Sequence, residues 1–271
     1  MSQARPLSLV TGASAGIGAA FARALAARGH DLVLTARRVD RLEALAEELR
    51  AKHGRNVTVI AADLADPAAS QQLSDALDAQ GLQVDWLINN AGYGVPGTFD
   101  KVPWQRQADF IQVLMTAPAE LIWHLLPGMR KRGYGRIINV ASLAAHVPGS
   151  AGHTLYAASK AYLVKFSQSL ALENRGHGVN VCALCPGFTW SEFHDVTGTR
   201  DMMNKLPDFM WQSAEEVVEQ GIAATERGDV VYVTGRVNRF IKALVKLMPD
   251  RMGLWLSGRE SRRYRDLGQD G

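Results

Sequence analysis

Leu7-Ser8-Leu9-Val10-Thr11-Gly12-Ala13-Ser14-Ala15-Gly16-Ile17-Gly18 is an apolar run that leads through three glycines into an alanine-rich helical segment. Glycines let the backbone turn sharply and approach a pyrophosphate closely, while the free N–H groups and positive end of the following helix attract its charge. The spacing Gly-x-x-x-Gly-x-Gly differs from the common Gly-x-Gly-x-x-Gly, so its placement between strand and helix matters more than the string alone. The stretch predicts a first strand, a nucleotide-binding loop and a first helix.

Beyond this stretch, short apolar runs alternate with longer helical ones. The predicted strands are 7–10, 32–36, 57–61, 84–89, 136–141, 179–184 and 230–233. The predicted helices are 17–28, 41–52, 67–80, 104–131, 156–175 and 214–227. Continuous apolar strands separated by helices indicate a parallel sheet that is covered on both faces. The predicted fold is a doubly wound, Rossmann-type α/β sheet of about seven strands.

Length and composition narrow the class of protein. The 271 residues are 47% hydrophobic and 21% charged, which fits one large α/β domain over 1–271. The net charge is only +3 and the basic residues are scattered, which argues against a nucleic-acid partner. Residues 1–6 contain no apolar signal core, and no uninterrupted apolar stretch looks long enough to span a bilayer. We therefore expect a cytoplasmic protein without an integral membrane segment.

Two irregular segments stand out. The first, 186–212, is too long for an ordinary connection and is rich in aromatic and methionine side chains, as many lids are. With Tyr93 and Val95 it predicts an apolar pocket for a bulky substrate. The second, 238–256, has apolar residues at helical spacing, with Lys242 and Lys246 between them. Such a helix can lie on a membrane surface, but packing onto the sheet or closing the substrate pocket is the more usual arrangement.

Tyr156 and Lys160 lie four residues apart in an apolar, helix-compatible run, so a helix places both on one face. A phenol with a pKa of about 10 is a poor acid or base at neutral pH, but a neighbouring cation stabilises the phenolate and lowers the pKa. Tyr156 then becomes a candidate general acid or base. The alternative is a half-buried tyrosine beside a solvated lysine on an ordinary helix.

Further motifs follow other predicted strands. Asp63-Leu64 follows the third strand, Asn89-Asn90-Ala91-Gly92 ends the fourth, Ser142 follows the fifth, and Pro186-Gly187-Phe188-Thr189 follows the sixth. Ligands of open α/β sheets bind at the carboxyl ends of the strands, where the glycine loop, Asn90, Ser142 and Thr189 all fall. A carbonyl oxygen beside Ser142 and Tyr156 would receive two hydrogen bonds as it gains negative charge, worth about 3 kcal/mol per donor.

In order and spacing, these motifs resemble those of the short-chain dehydrogenase/reductase family over residues 7–233. The resemblance implies a catalytic group of Ser142, Tyr156 and Lys160, in which Lys160 lowers the pKa of Tyr156 and holds the nicotinamide ribose. It also implies cofactor-binding roles for residues of the glycine loop and of the later strand ends. These are Gly12, Ser14, Gly16, Ile17, Gly18, Asp63, Leu64, Asn90, Ala91, Gly92, Pro186, Gly187 and Thr189. The implied reaction is hydride transfer to a carbonyl group.

The end of the second strand predicts which cofactor is used. Thr35-Ala36-Arg37-Arg38 stands there in place of the Asp or Glu that would bind a ribose 2′-hydroxyl. An arginine offers a planar fork that matches phosphate, so Arg37 is predicted to select NADP with Arg38 in support. The alternative is a pair of solvated arginines before a helix.

Leu114 is a departure from the resemblance, because the family usually has an asparagine there. In the family this asparagine marks a helix kink whose free main-chain carbonyl holds a water leading to the catalytic lysine. Pro118 lies four residues after Leu114 and lacks an N–H, so the helix bond to the Leu114 carbonyl cannot form. The hypothesis is that a relay through the Leu114 backbone survives.

The remaining conspicuous residues have simpler explanations. His146, His153 and His194 have no metal-ligand spacing and are predicted to line the substrate pocket or the surface, and His124 is predicted to be a packed or partly exposed side chain. No metal site is predicted. Cys182 and Cys185 fall at an odd offset on a strand, which predicts two reduced thiols on opposite faces.

The combined interpretation is an NADPH-dependent carbonyl reductase acting on a small-molecule ketone, aldehyde or alcohol. Two alternatives stay open: an NAD-linked alcohol dehydrogenase on the same fold, and a catalytically silent protein that senses dinucleotides. The resemblance also implies a homo-oligomer, since members often pair through the two long helices that flank the fifth strand.

Overall fold

The structure is a computed structural model that describes residues 5–190 and 207–260. Its centre is a seven-stranded sheet in which every pairing is parallel, with strand order β3-β2-β1-β4-β5-β6-β9. These strands are β1 Leu7–Thr11, β2 Asp31–Thr35, β3 Val57–Val59, β4 Trp86–Asn89, β5 Gly135–Val140, β6 Val179–Cys185 and β9 Val231–Val233. Two short strands, β7 Phe188–Thr189 and β8 Trp211–Gln212, pair separately. The predicted doubly wound α/β class is confirmed.

Nine α-helices occur in the described residues. They are α1 Gly16–Ala27, α2 Val39–His53, α3 Ala69–Ala79, α4 Trp104–Ile111, α5 Ala117–Arg132, α6 Thr154–Glu173, α7 Ala214–Glu226, α8 Arg236–Leu247 and α9 Asp250–Glu260. Apolar residues of α1, α2 and α7 form the core on one face of the sheet, and those of α3, α5 and α6 form it on the other. The central strands β1, β2, β4, β5 and β6 are buried on both faces, which explains why their sequences are largely apolar.

Strand order reverses between β1 and β4, because β2 pairs on one side of β1 and β4 on the other. Such a switch point opens a crevice at the carboxyl edge of the sheet. The glycine loop follows β1 and the Asn90 motif follows β4, so both lie at this crevice. The fold therefore brings together motifs that are nearly eighty residues apart in the chain.

The long helix predicted over 104–131 is interrupted. A π-helical segment, Gln112–Thr116, separates α4 from α5, and the Ala117 N–H donates to the carbonyl of Gln112, five residues back. Pro118 follows directly and has no N–H to donate, so the backbone cannot keep a regular α-helical register here.

The expectation that no segment could span a bilayer needs correction. By length and apolar composition alone, the continuous helical region 104–132 passes that test. The core helix of a soluble protein passes the same test, and Leu121, Ile122 and Met129 of this region pack in the core beneath the sheet.

The predicted lid, 186–212, is described only at its two ends, and residues 191–206 lie outside the described part of the chain. At those ends β7 pairs with β8, and the rings of Trp190 and Trp211 stack at 4.1 Å between centroids. The predicted amphipathic segment 238–256 forms most of α8 and part of α9. The α8 helix packs against a 3-10 turn, Leu143–His146, that directly follows Ser142.

Candidate active site

The glycine loop is shaped by close backbone approaches. Gly12 has φ +65° and Gly16 has φ +53°, a region that side chains disfavour. A Cβ built on Gly18 would lie 2.2 Å from the carbonyl oxygen of Gly12, and one on Gly12 would lie 2.8 Å from the Cα of Ala91. Each glycine therefore answers a steric demand, and the loop is held tightly against the motif that follows β4.

Thr11 fastens these two segments together, a role the sequence analysis missed. Its hydroxyl donates to the Ile88 carbonyl at 3.2 Å and accepts from the backbone N–H groups of Asn90 and Ala91 at 2.9 and 3.0 Å. The Asn90 amide returns the contact by donating to the carbonyls of Thr11 and Gly12 at 3.0 and 3.3 Å. A threonine at the strand end just before a glycine loop was the available signal.

A second buried polar chain ties the centre of the sheet to the helices. The Asn89 amide donates to Asn139 at 2.9 Å and to the Pro118 carbonyl at 3.4 Å, and the Asn139 amide donates to the Ser167 hydroxyl at 2.9 Å. These bonds connect β4, β5, α5 and α6. They fix α6, which carries Tyr156 and Lys160, against the end of β5, which leads to Ser142.

Ser142 and Tyr156 meet at the carboxyl edge of the sheet. Ser142 follows β5 in an extended conformation, and its hydroxyl accepts from the Ala144 N–H at 3.1 Å. Tyr156 lies in the first turn of α6, is half-buried, and shares a side-chain hydrogen bond with Ser142. Burial raises the pKa of the Tyr156 phenol, and the bond to Ser142 partly offsets that rise. The Ser142 and Tyr156 hydroxyls are thus close enough to bind the same ligand atom.

Lys160 lies beneath this pair. Its side chain is 6% exposed, its ammonium donates to the Val140 carbonyl at 2.8 Å, and Nζ is 5.7 Å from the centre of the Tyr156 ring. Burial lowers the pKa of Lys160 to about 8. The pKa of Tyr156 is raised overall, because burial of the phenol outweighs the opposing bond to Ser142. The lowering of that pKa by Lys160 stays a prediction for the site with cofactor and substrate bound.

The two arginines after β2 differ in burial and in contacts. Arg38 is partly buried, and its guanidinium donates to the Ser14 hydroxyl of the glycine loop at 3.0 and 3.2 Å. Arg37 is exposed, and it is close enough to Tyr93 for its charge to lower the pKa of that phenol, although burial raises it overall. The pair thus brings positive charge to the rim of the crevice, and Arg38 is the one that contacts the glycine loop.

Asp63 and Leu64 follow β3 at the same edge but differ in setting. Asp63 is exposed and its carboxylate accepts from the Ala65 N–H at 3.1 Å, while Leu64 is buried in a cluster with Phe110 and Leu114. The structure gives Leu64 a packing role. It leaves Asp63 available to a ligand.

The segment 186–189 contacts both α8 and the 3-10 turn that follows Ser142. The Leu143 N–H donates to the Pro186 carbonyl at 2.7 Å, and the Thr189 hydroxyl donates to the Gly187 carbonyl at 3.1 Å. A Cβ on Gly187 would lie 2.3 Å from the amide nitrogen of Asn238, which is buried on α8. Asn238 therefore positions this segment, a contact that no local sequence pattern indicated.

Leu114 is 1% exposed in the π-helical segment and packs in the cluster with Phe110 and Val113. A Cβ on Gly92 would lie 3.6 Å from its Cγ, so the leucine supports the turn after β4. Its side chain thus has a structural role. The proposed backbone role concerns the Leu114 carbonyl, whose α-helical partner would be the N–H at position 118, and Pro118 has none.

The surroundings of Tyr156 are apolar. Tyr93, Val95, Leu155 and Tyr156 pack at the edge of one cluster. The His153 ring lies 6.4 Å from that of Tyr156, and burial lowers the pKa of His153. His194 lies outside the described residues, and His124 packs edge-on against Trp123.

His146 is the last residue of the 3-10 turn that follows Ser142. Burial lowers its pKa to about 4, with Lys242 and Lys165 adding to the effect, so it is neutral at pH 7. It lines a cavity of about 500 Å³ together with Pro148 of the same turn region and Lys242 and Lys246 of α8. Ser142, Tyr156 and Lys160 do not line this cavity.

Cys182 and Cys185 are free and buried, and burial raises the pKa of each thiol to about 12. Both thiols are thus protonated and shielded, as expected for structural residues. Among the residues that the structure describes, no three His, Cys, Asp or Glu side chains come together as a metal site would require.

Comparison with known proteins places this geometry in a family. The family model described as short chain dehydrogenase matches residues 7–201. An uncharacterized oxidoreductase of Myxococcus xanthus is 37% identical over 223 residues, which are 82% of this chain and 84% of that protein.

Solved structures with the same fold also show sequence similarity to this chain. A short-chain dehydrogenase from Sphingobium yanoikuyae in complex with NADPH is 34% identical, with a TM-score of 0.80 over 92% of this chain and 94% of that one. The bulky-bulky ketone specific alcohol dehydrogenase from Comamonas testosteroni is 31% identical, with a TM-score of 0.76 over 92% of this chain and 93% of that one.

Proposed function

The chain belongs to the short-chain dehydrogenase/reductase family of oxidoreductases, and on that premise we propose that it transfers a hydride between NADP(H) and a carbonyl or secondary alcohol. The favoured direction is reduction of a ketone on a bulky apolar substrate. The observation that carries the proposal is the paired Ser142 and Tyr156 hydroxyls at the carboxyl edge of the sheet, with Lys160 buried beneath them.

The residues at the crevice fit a dinucleotide. Gly12 and Gly18 let the loop between β1 and α1 pack closely on itself and on the segment after β4. The start of α1, which this loop leads into, offers free N–H groups to a pyrophosphate. Asn90, Ala91 and Gly92 would line the adjacent ribose, Asp63 the adenine, and the segment Pro186, Gly187 and Thr189 the nicotinamide. Arg37 and Arg38 supply guanidinium groups at the rim, and the sequence 35–38 contains no carboxylate that would repel a 2′-phosphate, which favours NADP.

Tyr156 is suited to act as the acid. NADPH, when bound, supplies the hydride. A buried phenol with a raised pKa keeps its proton at neutral pH, so Tyr156 begins the reduction protonated. The Ser142 hydroxyl donates to the same substrate oxygen as its negative charge grows. The Lys160 ammonium, 5.7 Å from the tyrosine ring, then stabilises the phenolate that remains.

The substrate class is supported by apolar side chains. Tyr93, Val95 and Leu155 pack in one cluster with Tyr156. The rings of Phe188 and Trp190 each contact that of Trp211 at the described ends of the predicted lid. Apolar side chains beside Tyr156 favour a ketone with a bulky apolar substituent. The relative from Comamonas testosteroni is specific for bulky-bulky ketones by its name, which agrees with this proposal.

The test is a panel of ketones and aldehydes with NADPH or NADH, followed by absorbance. We expect NADPH to bind at least about tenfold more tightly than NADH, about 1.4 kcal/mol. Arg37→Asp should shrink or invert this ratio, whereas Arg175→Asp, the same change at an exposed site after α6, should leave it unchanged.

Two results would favour other functions. Similar structures include complexes with NADPH and with NAD, so equal affinities in the parent protein would support an NAD-linked enzyme instead. Tight binding of either cofactor without turnover of any substrate in the panel would support a silent dinucleotide-binding protein.

We also propose a cytoplasmic homo-oligomer. Trp123 is 72% exposed on α5, one of the two long helices that flank β5, and a tryptophan there is an effective anchor for a second copy. Trp123→Glu should convert the oligomer to a smaller species in light scattering. An unchanged mass would place the interface elsewhere.

A further inference from the structure

The last two helices carry an unusual concentration of exposed apolar side chains. Phe240, Leu244, Leu247, Met252, Leu254, Trp255 and Leu256 make up seven of the fourteen large apolar side chains that are exposed in the described residues. All seven fall within residues 240–256, on the two consecutive helices α8 and α9. Contiguous apolar surface of this kind marks an interaction site in proteins.

The α8 helix uses its two sides differently. Asn238 is buried against the segment after β6, and Val237, Ile241 and Val245 are partly buried on the same side. The opposite side presents a stripe at spacings of four and three residues: Phe240 is 69% exposed, Leu244 52% and Leu247 84%. Packing onto the domain thus accounts for one side of α8 and leaves the other apolar side facing outward.

The α9 helix also carries exposed apolar side chains. Its inner side is formed by Gly253, where a Cβ would lie 2.8 Å from the Pro148 ring, and by Ser257, whose hydroxyl donates to the Gly149 carbonyl at 2.6 Å. Leu254 and Trp255 are 60% and 58% exposed. Gly253 and Ser257 therefore pack on the domain and Leu254 also borders the cavity beside the 3-10 turn, while Trp255 stays mostly exposed.

Charge identifies the occupant of this surface. Residues 236–256 contain five basic residues, Arg236, Arg239, Lys242, Lys246 and Arg251, against one acidic residue, Asp250. A second copy of this chain would set the same basic patch against itself in a two-fold contact, and like charges oppose that pairing. A cationic, strongly amphipathic helix with an aromatic residue beside it matches the interface of an anionic bilayer.

We propose that α8 and α9 dock this protein, as a peripheral contact, on the surface of a membrane rich in anionic lipid. The apolar stripe enters the boundary between headgroups and acyl chains, and Arg236, Lys246 and Arg251 pair with lipid phosphates. This surface is separate from Ser142, Tyr156 and Lys160, so binding and catalysis can be measured apart. The proposal does not depend on which substrate the enzyme reduces.

The test uses the full chain and vesicles. At 0.1 M salt, co-sedimentation with vesicles of 70% phosphatidylcholine and 30% phosphatidylglycerol should exceed that with pure phosphatidylcholine by at least about tenfold. Raising the salt to 0.5 M should weaken binding several-fold, because headgroup charges are then screened. No binding to the anionic vesicles overturns the proposal.

Variants separate the apolar and charged contributions. Phe240→Glu with Leu247→Glu, and separately Arg236→Glu with Lys246→Glu, should each reduce binding at least about tenfold. Trp255→Glu should also reduce it, whereas Trp104→Glu, a matched change at a tryptophan that is 66% exposed on α4, should not. All of these positions are exposed, and ketone reductase activity measured without vesicles should stay that of the parent.

The experiments distinguish a membrane from the other candidates for this surface. If the Phe240→Glu and Leu247→Glu variant changes the mass of the protein in light scattering while the parent ignores vesicles, a second copy covers the surface and the proposal is wrong. Equal binding of parent and variant to anionic vesicles also contradicts it, because the basic residues alone would then account for adsorption.

Discussion

The glycine loop acts through its backbone, whereas the other end of the site, at Tyr156, acts through side chains. At the loop, function depends on the backbone: Gly12 and Gly18 are needed because a Cβ at either position would collide with neighbouring atoms. At the other end, Ser142, Tyr156 and Lys160 supply hydroxyls and an ammonium from elements that would fold without those groups. A change at the loop should therefore damage binding and stability together, whereas a change at Tyr156 should damage chemistry alone.

The largest expected effect is at Tyr156. Tyr156→Phe removes only the hydroxyl and should reduce turnover at least about a hundredfold, the scale of general acid catalysis. Cofactor affinity and the melting temperature should stay close to the parent values. Tyr162→Phe, a change of the same kind on the same helix, serves as the control and should leave turnover unchanged. Normal turnover by Tyr156→Phe would mean that the proton comes from another group.

Gly18→Ala, unlike Tyr156→Phe, should lower stability and cofactor affinity. Its new methyl group would lie 2.2 Å from the Gly12 carbonyl oxygen, so the loop must move. We expect a loss of about 2 kcal/mol in the free energy of unfolding, as in other overpacked sites, together with weaker NADPH binding. Gly149→Ala, where nothing lies within 4 Å of the added atom, is the matched control. Normal stability of Gly18→Ala would show that the loop is looser than this structure indicates.

The alternation of strands and helices made the fold predictable, because a buried parallel sheet requires continuous apolar strands. The strand-end motifs were predictable for the same reason, since each follows a buried run. Local sequence could not show that Asn139 joins Asn89 to Ser167, because these bonds depend on strand order. The exposed side of α8 was also ambiguous, since its sequence is apolar on both the packed and the outward side.

Lys160 shows how burial changes a site without changing its sequence motif. Its pKa is lowered to about 8 in the folded protein, so the unfolded chain binds more protons between about pH 8 and the ordinary lysine value. Stability should therefore rise with pH across that window and not fall. Between pH 7 and pH 9 the parent should gain roughly 1 kcal/mol relative to Lys160→Met in urea unfolding. An equal response of both proteins to pH would indicate that Lys160 titrates normally.

The smallest expected effect is at the π-helical segment, where side chain and backbone have separate roles. Leu114 fills a cluster of apolar residues, while the missing N–H of Pro118 bears on the main-chain carbonyls of the preceding turn. If the proton relay to Lys160 runs through the Leu114 carbonyl, Leu114→Asn should change turnover less than about tenfold, which is about 1.4 kcal/mol of barrier. It should nevertheless lower stability, because it buries an amide among apolar side chains.

Pro118→Ala is the decisive partner of that variant. It restores an N–H at position 118, lets the helix bond to the preceding carbonyls form, and should reduce turnover more than Leu114→Asn does. Leu114→Met, which keeps both the volume and the apolar character of the side chain, controls for packing and should leave turnover unchanged. All three are compared with the parent on one ketone, below the melting temperature of the weakest variant. A large gain in turnover from Leu114→Asn with no loss from Pro118→Ala would overturn the backbone relay, because a side-chain amide would then be the missing group.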